Sequence, residues 1–226
     1  MYEIKYSKQV ELSDNIRFRC MRCGACCRNV EGSVVIESKD GYYLAKYLGI
    51  TVSEFYENYT RMFLIDEVDF PIFALDTLGK DNSCIFLKGK RCTVQDAKPR
   101  TCKMYPFWIH PDDNGCLVYN LSTEQRHHPK GSLVRVRDWM RDNLSEEDKV
   151  FLLEDAKEIS LLGPLLGKLN ELNADKGKII KKIIEYRHLY YDTDEPFFEQ
   201  FRRNNILLKN ELMQMILKKQ EETSYE

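Results

Sequence analysis

The chain has 226 residues, 43% of them hydrophobic, which is enough for an ordinary core without the disulfide staples that very small secreted domains need. Charged residues make up 31% but nearly cancel, to a net charge of −2, so nothing global marks the chain for nucleic acid, specific or non-specific. The opening MYEIKYSKQVELSDNIRF is charged and lacks the apolar core of a secretory signal, and no stretch approaches the ~20 apolar residues of a membrane helix. An intracellular, cytoplasmic protein with reduced thiols and no membrane association is the expectation.

In chain order, the β-branched run VVIE (34–37) predicts a strand. SKDGYYLAKYLG predicts a helix with Ser38 as N-cap and Gly49 just past its end. A second helix follows in TVSEFYENYT, where Thr51 and Glu54 have capping-box spacing. Tyrosines and phenylalanines between 42 and 73 recur at helical spacing and predict core and contact surface. Two hairpins are expected, one around Lys-Gly-Lys in CIFLKGKRCTV and one around Asn114-Gly115 in FWIHPDDNGCLVYNL.

From about Leu133 the chain reads as helical. SEEDKVFLLEDAKEISLL starts at a Ser145–Asp148 cap and should break at Gly163-Pro164. KGKIIKKIIEYRHLYY puts Ile179, Ile180, Ile183 and Ile184 on one face. A last helix has Thr193 or Asp194 as cap and Pro196 in its first turn, and the polar tail after Gln220 should fray. The fold class is α+β, mainly α: a cysteine-rich half with short hairpins and helices (1–132), then a helical half (133–226). The faces bearing Leu152, Leu153, Ile179, Ile183, Leu208, Leu212 and Ile216 must be buried on the first half, on a protein partner or on a second copy.

The eight cysteines, Cys20, Cys23, Cys26, Cys27, Cys84, Cys92, Cys102 and Cys116, all lie in the first half. C-x2-C-x2-C lets a short loop present three thiolates to a metal centre while its amides, helped by Gly24, point at the sulfurs, as in ferredoxin-type loops. A remote cysteine must then be the fourth ligand, and Cys102, between Pro99 and Pro106, leads. This favours a 4Fe-4S cluster. Zinc is the alternative, with Cys27, Cys84, Cys92 and Cys116 suiting a tetrahedral site. The adjacent Cys26 and Cys27 argue for more than one centre, because neighbouring side chains on extended or looped backbone tend to point opposite ways. Cys116 reads equally well as an inert thiol.

Cations accompany the thiols: Arg17, Arg19, Arg22 and Arg28 without an acid, and Lys88, Lys90, Arg91, Lys98, Arg100 and Lys103 against Asp96 alone. They suit the compensation of an anionic thiolate centre, with an anionic ligand as the other use of the patch.

CMRCGACC followed by CIFLKGKRCTVQDAKPRTCKMYPFW resembles the CxxCxxCC cysteine-cluster family, also labelled YkgJ-like, a zinc- or iron-chelating family. The resemblance covers residues 18 to about 120. It implies Cys20, Cys23, Cys26, Cys27, Cys84, Cys92 and Cys102 as metal ligands. Departures are Thr93-Val94-Gln95 after Cys92, Lys98-Pro99 in place of Arg-Pro, and Leu117-Val118 after Cys116 in place of Pro-Gly. A distant resemblance to flagellin lysine N-methylase implies an alternative function, S-adenosylmethionine-dependent modification of protein side chains, although no Gly-rich loop after a strand supports it.

His127-His128 reads as a surface pair, His188 is given no function, and no Ser-His-Asp or Cys-His arrangement can be argued. The reading is an intracellular metal-binding protein with no assigned catalytic residue.

Overall fold

A computed structural model describes residues 7–18, 20, 22–66, 68–123 and 132–224, and its architecture is α+β, mainly α. Strand β1 (Ser7–Val10) pairs antiparallel with β10 (Leu117–Ser122), which pairs in turn with β9 (Phe107–Pro111). Strand β2 (Asn15–Arg17) pairs with β11 (Leu133–Arg135). The β1–β10 and β2–β11 pairings join segments more than a hundred residues apart, and three- or four-residue strands such as β1, β2 and β11 are too short to carry a periodic signal.

The run at 34–37 is not a strand. It lies extended beside β4 (Phe70–Leu75) and makes one bridge, Val35 to Ala74, flanked by Ile36 N–H donating to Phe73 O (2.8 Å). Helix α1 (Ser38–Leu48) is capped one residue earlier than expected, at Glu37, and Gly49 closes it at φ 68°. In α2 (Val52–Tyr59) the Thr51–Glu54 capping box is present. Gly41 is where the two helices approach: a Cβ there would stand 2.5 Å from the Tyr56 hydroxyl oxygen. The helical spacing of aromatics ends at Tyr59. Beyond it β3 (Thr60–Ile65) and β4 form a hairpin, although Phe55, Tyr56 and Phe73 are core as expected.

Strands β5 (Thr77–Leu78), β6 (Ser83–Cys84), β7 (Leu87–Lys88) and β8 (Arg91–Cys92) form two minimal hairpins, followed by α3 (Arg100–Met104). Both predicted hairpins are present. In the β9–β10 loop the Asp112 carboxylate accepts N–H bonds from Asn114 (3.0 Å) and Cys116 (2.7 Å), and Gly115 takes φ 76°.

After β11 come α4 (Val136–Asn143), α5 (Glu146–Glu171), α6 (Lys176–Ile184), a π turn at Glu185–Leu189, and α7 (Phe197–Ser224). Ser145 and Asp148 form the expected capping box. The predicted break at Gly163-Pro164 does not occur. Proline inside a helix costs about 3 kcal/mol, but Leu162, Leu166 and Leu169 on that stretch are buried with Leu208 and Leu212 of α7, and each such side chain contributes about 1.5–3 kcal/mol. Helix α7 starts after Pro196, with Thr193 and Asp194 in the preceding turn. Gln200 ties that turn, accepting from Asp192 N–H (2.7 Å) and donating to Glu195 O (3.1 Å). The helix continues past Gln220 to Ser224 instead of fraying there.

One apolar cluster joins Val34, Ile36, Phe55, Phe73 and Phe86 to Phe151, Phe197 and Phe201, so residues on both sides of the 132/133 boundary share a core. Cys84 belongs to this cluster, and Cys27, Cys92 and Cys102 pack against it. Of the apolar residues singled out in the helical half, Leu152, Ile179, Ile183, Leu208 and Leu212 are buried within the chain. Among the described residues no helix is long and apolar enough to cross a membrane.

Candidate metal centre

The CxxCxxCC loop turns through Arg22 (φ 49°) and Gly24 (φ 73°) into a 3-10 turn, Ala25–Cys27. Gly24 sits against the β7–β8 hairpin, where a Cβ would meet Leu87 Cδ1 at 3.1 Å. Cys27 N–H donates to Gly24 O (3.1 Å) and Arg28 N–H to Ala25 O (3.2 Å). These two amides close the turn, while the Cys26 amide bonds its own sulfur. The Sγ atoms of Cys26 and Cys27 lie 3.9 Å apart, on the same side. Opposed side chains belong to extended backbone, and a 3-10 turn rotates about 120° per residue.

Arg28 fastens this loop to the hairpins. Its guanidinium bonds Asp81 Oδ2 (2.7 Å), Ser83 Oγ (3.1 Å) and Gly89 O (3.0 Å). The backbone adds Asn29 N–H to Asp81 O (2.8 Å) and Val30 N–H to Asn82 O (3.1 Å). Cys84 and Cys92 are carried on the strands so fastened. Cys102 comes from α3, and Arg100 anchors that helix: its N–H donates to Asp40 Oδ1 (2.9 Å) and its guanidinium forms a bidentate pair with Glu37 (2.9 and 2.5 Å). Arg28 and Arg100 were grouped with the compensating cations. The structure commits both to carboxylates. Nothing in the sequence marked Glu37, Asp40 or Asp81 as their partners, because each pair is closed by tertiary folding over more than fifty residues.

All eight cysteines are free thiols. Seven line two adjoining cavities. An inner one of about 480 Å³ is lined by Cys26, Cys27, Cys84, Cys92 and Cys102, and an outer one of about 620 Å³ by Cys20, Cys23, Cys26, Cys27 and Cys92. Cys116 lines neither and is exposed on the β9–β10 loop. His127 and His128 lie outside the described residues. His188 is buried, with Nδ1 3.1 Å from the Tyr56 hydroxyl. Among the described residues, no three Cys, His, Asp or Glu side chains already stand in a metal-holding arrangement. The thiols line the cavity walls without meeting at a point.

Burial pushes the Cys84 and Cys102 thiols up, and neighbouring thiols push them further. Cys26 is drawn down to about 6, first by its hydrogen bond with Cys27 and also by the Lys98 ammonium, while the same bond pushes Cys27 up. Thiols that resist ionisation in one another's company fit a soft cation, which neutralises the repulsion as they lose protons. Lys98 borders both cavities, and Arg22, Lys90 and Arg91 border the outer one.

Residues 19–130 match the model of the CxxCxxCC family, whose description reads "Putative zinc- or iron-chelating domain". Through this segment the chain belongs to the CxxCxxCC family. The match takes in all seven cavity thiols. An uncharacterized protein of Methanocaldococcus jannaschii is similar to this chain, 30% identical over 98 residues that make up 42% of the chain and 48% of that protein. The chain thus spans about half the length of that relative. No solved structure matches it.

Proposed function

We propose that this member of the CxxCxxCC family is an intracellular, cytoplasmic metal-binding protein whose thiols hold an iron-sulfur cluster, 4Fe-4S in the favoured form, with zinc as the alternative. One observation carries the reading: seven free thiols from separate segments converge on two adjoining cavities bordered by cations. The outer cavity holds all three thiols of the C-x2-C-x2-C loop, the ferredoxin-type spacing, and Cys92 lines the same cavity as a remote fourth donor. Cys102, the candidate read from its prolines, lines the inner cavity.

A bound cluster would supply one-electron redox chemistry or transferable iron. Lys98, Lys90, Arg91 and Arg22 would offset its negative charge. Eight free cysteines in one chain fit a reducing compartment. A protein partner or second copy would meet what the C-terminal helices leave exposed, including Leu153, Ile206, Met213 and Leu217. Neither cavity favours the S-adenosylmethionine-dependent alternative.

Anaerobic purification tests the reading. Brown protein containing iron and acid-labile sulfide is expected, and colourless protein holding only zinc would replace the cluster with the zinc alternative.

A further inference from the structure

We infer that the seven thiols form two separate metal sites: the outer C-x2-C-x2-C site with Cys92, and an inner site in which Cys27, Cys84 and Cys102 take a single soft divalent cation, zinc in chemical class. The inference rests on the metal-binding reading above and divides its thiols.

The division follows from where the thiols lie. Cys20 and Cys23 line the outer cavity only, and Cys84 and Cys102 the inner only. The two pairs therefore wall different cavities. The 3-10 turn at Ala25–Cys27 is the junction, presenting two adjacent thiols 3.9 Å apart that line both cavities. Cys26 completes the C-x2-C-x2-C spacing with the exposed Cys20 and Cys23. Cys27 is the more buried of the two and, like Cys102, packs against the main core to which Cys84 belongs.

The three inner donors arrive from separate elements, the turn, β6 and α3. That origin suits a mononuclear site better than a loop-wrapped cluster. The inner cavity is also floored by buried Val34, Leu75, Phe86 and Val94. The outer cavity is bordered by Arg22, Lys90 and Arg91 and by exposed thiols.

The stoichiometry closes with three thiols. Zinc replaces three S–H protons, which pass to solvent, leaving a tris-thiolate complex of net charge −1 with its fourth position open to the cavity. Lys98, on the wall of both cavities, faces that charge. Binding requires the three side chains to swing inward, since none of them is yet gathered around a point.

The test uses the full-length protein, purified anaerobically and assayed for iron, sulfide and zinc. Cys20→Ser with Cys23→Ser should remove iron and sulfide and leave zinc. Cys84→Ser with Cys102→Ser should remove zinc. Because the second pair could fail to fold, the wild-type protein provides an independent measurement: after a short chelator pulse, alkylation should label Cys20 and Cys23 at least tenfold faster than Cys84 and Cys102, and prolonged chelation should erase the difference. Zinc lost together with iron in the Cys20/Cys23 variant, or simultaneous labelling of all seven thiols after the pulse, would overturn the two-site arrangement. Zinc retained on Cys84 and Cys102 in protein that never contains iron or sulfide would leave the inner site standing and remove the outer cluster.

Discussion

Between Ser83 and Met104 the chain reverses every few residues: β6, β7 and β8 have two residues each and α3 has five. Helices α5 and α7, by contrast, run for 26 and 28 residues and bury Leu162, Leu166, Leu169, Leu208 and Leu212 together. The helical half draws its stability from apolar area. The thiol segments have little such area of their own and are held by the Arg28 and Arg100 clamps, by one shared apolar cluster and, on the proposal above, by metal. A region that short in regular structure needs cross-links, and the Arg28 and Arg100 clamps supply polar ones.

The largest effect expected from this contrast is that of metal removal. Structural zinc can contribute about 10–16 kcal/mol to small domains, so exhaustive chelation should sharply raise amide hydrogen exchange across residues 20–30 and 83–104 while α5 and α7 keep their protection. Uniform loss of protection would mean that the two regions are one cooperative unit. Next in size is Phe151→Ala. This fully buried ring belongs to the cluster shared by both halves, and its loss should cost about 3–5 kcal/mol in denaturant unfolding. It should loosen the thiol segments as well as the helices, whereas Leu212→Ala should act on the helices alone.

Acid separates the regions in another way. Burial, helped by Arg187, holds His188 down to about 3, so below pH ~6.5 the unfolded chain binds a proton that the native state refuses, and stability falls as pH drops. Burial, with Glu37 beside it, raises Asp40 to about 7, so there the native state binds the proton, and stability falls as pH rises toward 7. The two oppose each other between pH 5 and 7. Asp40→Asn removes the opposing effect, so its unfolding free energy should fall about 2 kcal/mol further between pH 7 and pH 5 than that of the wild type. Equal slopes in the two proteins would sink this account.

Gly41→Ala should cost about 1–3 kcal/mol, because the added carbon would stand 2.5 Å from the Tyr56 hydroxyl oxygen. Thermal unfolding would show it, and a stabilised variant would mean that α1 and α2 can part freely. Smallest is Thr51→Ala, which removes the acceptor for Glu54 N–H at the start of α2 and should cost about 1 kcal/mol with no change in metal content.

Sequence alone determined what is settled within a few residues. The Thr51–Glu54 and Ser145–Asp148 capping boxes, the Gly49 stop and the turns at Gly89 and Gly115 follow from backbone preferences and hydrogen bonds that close inside one turn. The C-x2-C-x2-C spacing likewise marked three of the thiols that line the cavities, and the family resemblance implied all seven. Tertiary structure decided the rest. The β1–β10 and β2–β11 pairings depend on contacts more than a hundred residues apart, and α5 passes Pro164 because burial against α7 outweighs one missing hydrogen bond. Arg28 and Arg100 are committed to Asp81 and Glu37 by folding alone. The partition of thiols into an inner and an outer set depends on which way each side chain faces once those clamps close, and spacing along the chain carries no information about that.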